Sequence, residues 1–398
     1  MRDKEKVSDL AILGGPPAFH EKLHVGRPNI GDREKLFERF RGVLDRNWLT
    51  NNGPLVQEFE KKIQELHAVK HCIAICNGTV ALEIVTRAVG LSGEVIIPSF
   101  TFIATAHALQ WQEITPVFCD INPQTYNLDP EQVEKLITPR TTGIMGVHLW
   151  GRACDVSALT AIARKHNLKL LFDASHAFGC SSQGEMIGGF GNAEVLSFHA
   201  TKVLNTFEGG AILTNDDELA KRIRYMRNFG FQDYDTVVYL GINGKMNEIC
   251  AAMGLTGMES FEKFQATNYR NYQAYSRALE GVPGIKVVPY NEKEKCNYQY
   301  LVLTVDEKVA GISRDVLSRI LHAENVLARR YFFPGCHRMQ PYASMPFYKG
   351  LRLPETEKAS SQLLALPTGL AVGESEIHSL VKIIKLSLAH AHELKSKL

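Results

Sequence analysis

The sequence predicts an α/β protein: a mostly parallel sheet with helices on both faces, followed by a smaller carboxy-terminal α+β unit. Three observations carry that prediction. Short β-branched runs alternate with helical patterns through the first two-thirds of the chain, the signature of βα units. From about Glu259 the alternation gives way to one long polar helical stretch and then a different sequence of elements. A length of 398 residues with 45% hydrophobic content suits one large domain and a smaller one.

Taken in order, the runs expected to be strands are His71 to Ile75, Glu94 to Ile97, Thr115 to Cys119, Gly143 to His148, Lys169 to Phe172, Glu194 to Ser197 and Ala211 to Thr214. Each is short and apolar, as a strand covered on both faces must be. Between them Thr79 to Val89, Phe102 to Gln110, Pro130 to Ile137 and Val156 to His166 read as helices. Beyond Glu259 a helix runs to Leu279. Ile285 to Val288 and Asn297 to Val305 read as strands, Arg314 to Glu324 as a helix, and Glu374 to His392 as the closing helix. The chain accordingly divides into residues 1–50, a segment packing with the small domain, residues 51–258, the large domain, and residues 259–398, the small domain.

Composition narrows the function classes. Lys and Arg number 45 against 43 Asp and Glu, a formal charge of +2, so nothing global favours nucleic acid or an anionic membrane. Any anionic ligand must be held locally. The start, Met1-Arg2-Asp3-Lys4-Glu5-Lys6, is charged and has no apolar stretch of a secretory signal, which predicts a cytoplasmic protein. The most apolar region, Val95 to Leu109, is interrupted by Pro98, Ser99, Thr101, Thr105 and His107 and is no membrane span. The eight cysteines show no repeated C-x-x-C pair, so neither a metal site nor a disulfide framework is expected.

The chemistry concentrates on a few strand ends. Lys202 closes the run Ser197-Phe198-His199-Ala200-Thr201-Lys202, downstream of Asp173 in Phe172-Asp173-Ala174-Ser175-His176. A lysine amine can hold an aldehyde cofactor, and a carboxylate at the tip of a buried strand is costly unless a cation such as a pyridinium meets it. Taken alone, Lys202 reads as a surface lysine and Asp173 as a helix cap. Asn77-Gly78-Thr79 follows a strand and opens a helix, a ready anion site or a simple capping turn. Phe102, after Pro98-Ser99-Phe100-Thr101, can lie flat on an aromatic ring or fill a core. Ser197 ends another strand at the same sheet edge, where α/β ligands collect.

Together these segments resemble the DegT/DnrJ/EryC1/StrS family of nucleotide-sugar aminotransferases. The resemblance runs from about Pro28 to the final helix. It rests on Asn47 to Pro54 with Glu58-Phe59-Glu60, Asn77 to Leu82, Pro98 to Thr105, the Asp173 and Lys202 segments, Glu208-Gly209-Gly210-Ala211 and Gly241 to Glu248. Within the family, Trp48 to Pro54, Ser197 to Lys202 and Asn228-Phe229-Gly230-Phe231 resemble the group acting at C4 of dTDP-4-keto-6-deoxyglucose.

The resemblance implies a fold type I transferase built on a mixed, mostly parallel seven-stranded sheet. It implies pyridoxal 5'-phosphate as cofactor, passing through pyridoxamine 5'-phosphate, with L-glutamate as donor and a nucleotide-linked keto sugar as acceptor. By the same resemblance Lys202 is the catalytic base, Asp173 pairs with the pyridinium, Phe102 stacks on the ring, and Ser197, Gly78 and Thr79 hold the phosphate. His176 falls near the cofactor's phenolic oxygen. Asn243 and Lys245 resemble the loop with which a neighbouring subunit completes the phosphate site, which implies a homodimer. The segment Arg329 to Pro334 with His337 resembles the substrate-facing loop, with Arg330, Tyr331 and His337 as its substrate-binding residues. Related dehydratases carry histidine in place of the lysine, so Lys202 implies amino transfer. Acceptors with a 3-keto group or a UDP or GDP carrier, and a regulatory protein retaining the fold, stay open. Arg152 stands where a glutamine is usual.

Overall fold

In the computed structural model, which describes residues 1–397, the central sheet has seven strands. They are β1 (His71–Ile75), β2 (Glu94–Pro98), β3 (Thr115–Cys119), β4 (Thr141–Val147), β5 (Lys169–Asp173), β6 (Ala193–Ser197) and β7 (Gly210–Thr214). Their order is β1-β7-β6-β5-β4-β2-β3. β7 runs antiparallel to both neighbours, and the remaining pairs are parallel. All seven expected strands are present. Their middles are apolar because both faces are covered: Val95, Ile96 and Ile97 of β2 are fully buried.

The large domain's helices start where polar side chains can satisfy free amides. α1 (Arg33–Arg46) is capped by Asp32. α2 (Pro54–His67) starts on a proline, and the buried carboxylate of Glu248 accepts from the Leu55 and Val56 amides at 3.0 and 2.9 Å. Two sequence segments almost two hundred residues apart, around Pro54 and around Glu248, thus form one cap. α3 (Gly78–Ala88), α4 (Ala104–Gln110), α5 (Pro130–Lys135) and α6 (Val156–Lys165) connect the parallel strands; Asn77, Asp129 and Asp155 cap three of them. α7 (Asp217–Met226) and α8 (Glu248–Glu259) follow the sheet, capped by Asp216 and Asn247.

The carboxy-terminal part packs α9 (Phe261–Leu279), α10 (Arg314–Ala323) and α11 (Glu374–Ala389) against an antiparallel sheet of β8 (Ile285–Val287), β9 (Leu301–Val305) and β10 (Leu363–Leu366). β9 opens at Leu301, later than the expected Asn297. Asn297 is diverted: its side-chain amide donates to the His176 and Phe178 carbonyls at 2.9 and 3.1 Å, tying this stretch to the large domain.

The amino-terminal segment divides. Leu10, Ala18, Phe19 and Leu23 share the core of the small layer, and Leu23–His24 pairs in parallel with Val326–Leu327. Glu324, fully buried, accepts from the Ala11 and Ala18 amides at 2.7 Å each and meets Lys4 at 3.1 Å. α1 goes elsewhere, with Leu36 packed on Ala252 and Met253 of α8, because its apolar stripe matches the large domain. Among the described residues, no helix is long and apolar enough to cross a membrane, and no group of His, Cys, Asp and Glu could hold a metal ion.

Candidate active site

The carboxyl ends of β1, β5 and β6 lie side by side with the start of β7. Gly210 of β7 sits opposite both Ile75 and Ser197. A Cβ on Gly210 would come within 2.8 Å of the Asn77 carbonyl and the Gly78 nitrogen, so a side chain there would force the turns apart. The Asn77 side chain accepts from the Val80 amide at 2.8 Å. That leaves the Gly78 and Thr79 amides at the α3 terminus with no acceptor among the described residues. These donors, together with the Ser197 and Thr79 hydroxyls, suit a phosphate dianion at a positive helix end.

Asp173 ends β5 and is 5% exposed. Its Oδ2 accepts the Thr105 hydroxyl at 2.9 Å, and Thr105 is linked to the Thr101 hydroxyl at 3.1 Å. Oδ1 accepts the Ser175 amide at 3.1 Å. The carboxylate is therefore oriented by two donors, an arrangement suited to a cationic partner.

Lys202 lies in the loop after β6, and that loop is gripped from three sides. Gln299 donates to the Thr201 carbonyl at 2.5 Å, Asn29 to the Val203 carbonyl at 3.0 Å, and Asn205 to the Asn29 carbonyl at 2.7 Å. Gly26, at φ +73°, lies so close that a Cβ would stand 2.9 Å from that of Thr201. The Lys202 amine has no hydrogen-bond partner among the described residues. Burial pulls its pKa down to about 8, against the pull of the Asp173 charge. The lowered value enlarges the neutral fraction of the amine, and the neutral amine is a nucleophile and a proton carrier.

His176 is held well below its ordinary pKa, first by burial and then by the Lys202 charge. Its Nδ1 accepts the Trp150 amide at 3.2 Å, which places the ring proton on Nε2. Neutral His176 can thus donate to an acidic oxygen. Tyr300 lies 4.8 Å from its ring, centroid to centroid, and Phe332 stacks parallel at 6.0 Å.

Lys202, Asp173, His176 and Ser197 line one cavity of about 860 Å³. Gly78, Thr79, Phe102 and Tyr331 line it too. The donor set fits a phosphorylated aromatic aldehyde: anion donors at one end, an isolated carboxylate for a ring cation and a free amine for the aldehyde. Phe102, 56% exposed, is free to cover a ring.

Other expected residues lie elsewhere. Arg330 is 2.9 Å from Asp315 and covers Phe333 at 4.7 Å, outside this cavity. His337 is buried, its Nδ1 2.7 Å from the Ser99 hydroxyl and Nε2 3.5 Å from Glu357, so it braces the chain and does not face a substrate. Lys245 donates to Asn228 at 2.8 Å and lies over Phe229, while Asn243 bridges to Asn228. Neither lines the cavity of its own chain. Arg152 donates to the Val288 carbonyl at 2.8 Å and stacks on Tyr290 at 4.6 Å, a structural brace. Sequence reasoning missed His24, Arg27 and Tyr300, which also line the cavity. Of the cationic run that opens the expected substrate-facing segment, Arg329 lines the cavity and Arg330 does not.

Comparison with known proteins accords with this geometry. A profile of the DegT/DnrJ/EryC1/StrS aminotransferase family matches residues 31–385. The chain is 36% identical to the dTDP-4-amino-4,6-dideoxy-D-glucose transaminase of Shigella dysenteriae, over 92% of this chain and 99% of that one. It is 34% identical to GDP-perosamine synthase of Caulobacter vibrioides, over 90% and 96%. A crystal structure of DesI with its TDP-sugar product superposes with a TM-score of 0.94 at 47% identity, covering 98% of this chain and 99% of that one. With the lysine, the carboxylate and the anion-binding turn on one edge of such a sheet, the chain belongs to the DegT/DnrJ/EryC1/StrS aminotransferase family.

Proposed function

We propose that the protein is a pyridoxal 5'-phosphate-dependent aminotransferase that moves an amino group from L-glutamate to a nucleotide-linked keto sugar. The acceptor we favour is dTDP-4-keto-6-deoxy-D-glucose, giving dTDP-4-amino-4,6-dideoxyglucose. The observation that carries the reading is the unpartnered Lys202 amine, with pKa about 8, in one cavity with Asp173 and the Gly78–Thr79 turn. The matched transaminase and the TDP-sugar named with DesI support the choice of acceptor. The GDP-linked alternative is supported by the Caulobacter relative.

When bound, the cofactor supplies an aldehyde and an electron-withdrawing ring that stabilises negative charge on the adjoining carbon. The residues do the rest. The Gly78 and Thr79 amides, with Ser197, would hold the phosphate. Asp173, oriented by Thr105 and Ser175, would pair with the ring nitrogen. His176 would offer its Nε2 proton to the phenolic oxygen, and Phe102 would cover the ring. Lys202 takes and returns a proton at Nζ, first with the amino donor and then with the sugar. Donor and acceptor use the same site in turn, so ping-pong kinetics are expected.

The dimer belongs to the same proposal. Tyr234 is 99% and Leu240 71% exposed on the excursion before Asn243, an apolar surface suited to a second copy. Asn243 and Lys245, idle in their own chain's cavity, would then be available to the neighbour's phosphate.

The test is direct. Purified protein should show a visible absorbance band that Lys202→Ala abolishes, and should convert the dTDP keto sugar with glutamate, followed by mass. A colourless protein that takes up no added cofactor would end this reading. A panel of dTDP, UDP and GDP acceptors separates the carriers.

A further inference from the structure

We propose that Gln299 of the small domain, anchored through Asn297, is a positioning residue that sets the Lys202 loop against the Asp173–His176 segment; this rests on the function proposed above.

The two halves of the site leave the sheet separately. Pairing between β5 and β6 ends at Asp173 and Val195, and beyond it each strand runs into its own loop. A short stretch of the small domain bridges those loops. Asn297, fully buried, donates to the His176 and Phe178 carbonyls at 2.9 and 3.1 Å, and its Oδ1 accepts the Gln299 amide at 3.1 Å. The Gln299 side chain then donates to the Thr201 carbonyl at 2.5 Å. That carbonyl belongs to the peptide leading into Lys202, whose N–H donates to the His199 carbonyl at 2.8 Å. Both ends of the peptide plane are thus fixed, and with them the direction in which the Lys202 side chain leaves the backbone. Tyr300 completes the stretch, its ring 4.8 Å from that of His176.

The stretch is itself held firmly. Gln265 and Asn268 of α9 donate to the Cys296 and Asn297 carbonyls at 2.7 and 3.0 Å. The Tyr290 hydroxyl donates to the Tyr300 carbonyl at 2.9 Å and accepts from the Tyr300 amide at 3.2 Å. These bonds take the place of sheet pairing, which starts only at Leu301 opposite Leu366.

The chemistry of the Gln299 amide separates placement from support. Its Oε1 is enclosed and meets no donor among the described residues. A stranded amide oxygen is unfavourable, so the side chain gives up part of what its hydrogen bond contributes. What it secures is the position of the Thr201 carbonyl. Neither Asn297 nor Gln299 lines the cavity, so both act through the backbone they hold. Lys202 is near enough for its charge to bear on His176, and the spacing of the two loops therefore decides what the amine meets.

The experiment uses the full-length protein with Gln299→Met, which matches the length without a donor, and Gln299→Asn, which keeps the amide one carbon short of Thr201. In the cofactor-free protein, Lys202 is labelled with trace acetic anhydride across pH and located by peptide mass. The wild-type midpoint is expected at about 8. Both variants should raise it by about half a unit or more, because a loosened loop admits water to the ammonium. Asp173 and His176, and the cavity's other charges at Arg27, His199, Glu208 and Arg329, stay in place, so the shift reports position. In the cofactor-loaded protein, bleaching of the visible band by saturating L-glutamate should slow about tenfold or more, with the half-saturating concentration within about twofold of wild type. Urea unfolding checks that each variant is folded, and either variant alone suffices. A folded variant with the wild-type midpoint and the wild-type bleaching rate overturns the proposal, whether or not it has lost stability. If the wild type takes up no cofactor, the proposed function has failed, while the labelling arm still decides the role of Gln299.

Discussion

Replacing Lys202 by methionine should make the cofactor-free protein more stable, not less. The amine has a pKa of about 8 in the folded chain against an ordinary value of 10.5. Between those values the unfolded chain binds more protons than the folded one, so stability rises with pH across the window. Below pH 8 the folded state carries the full cost of an enclosed ammonium. At pH 7 the two values correspond to about 3 kcal/mol, at 1.36 kcal/mol per pKa unit. At pH 9.5 the same arithmetic leaves less than half of that. Both are upper bounds, since water entering the cavity screens the charge. Methionine is unbranched, uncharged and one atom shorter than lysine. The assay is urea unfolding of cofactor-free wild type and Lys202→Met at pH 7 and pH 9.5. The variant should lead at pH 7, and the gap should shrink by more than half at pH 9.5. A variant less stable than wild type at pH 7, or a gap indifferent to pH, would refute the reasoning.

The same amine governs cofactor uptake. Its rate, followed as the growth of visible absorbance, should climb about tenfold per pH unit below pH 8 and level off above it, as the neutral fraction does; a rate still climbing steeply at pH 9.5 would count against it. Thr105→Val removes the donor to Asp173 and interrupts the chain from Thr101, so it should cost about 1.5–3 kcal/mol in urea unfolding, whereas Thr105→Ser should recover most of the loss. Equal stability of the valine and serine variants would contradict this. Glu324→Ala strands the Lys4 ammonium and two amides and should cost about 3–5 kcal/mol, while exposing residues 1–24 to protease in the otherwise folded protein. Lys4→Met in the same chain should return part of it; no recovery would mean the stranded charge is not the cause.

The strands were legible because a buried parallel strand leaves a continuous apolar run, and β1 to β7 all have one. The direction of β7 was not legible from its own residues, since Gly210 to Thr214 is as apolar as its neighbours. α2 could have been read from Val56, Phe59 and Ile63, which are spaced on one face. Asp173, Ser197 and the Gly78 turn were readable because they end strands, and strand ends fix position. Arg27 and Tyr300 come from stretches held by tertiary hydrogen bonds, which no local pattern announces. His337 shows the converse. Residues 329–337 read as one substrate-facing loop, yet the chain turns within it, sending Tyr331 to the cavity, Arg330 to Asp315 and His337 inward to Ser99.

The grip on the Lys202 loop bears on the order in which the chain can finish folding. Gly26 and Asn29 reach that loop from a segment anchored by Leu23–His24, whose partners are Val326–Leu327. On the ribosome the amino-terminal residues emerge first but cannot dock until nearly the whole chain has been made. The central sheet can therefore form around a lysine loop that is still loose. The reactive amine reaches its working geometry only after synthesis is almost complete, so an interrupted translation product would carry the lysine without the setting that makes it a catalyst.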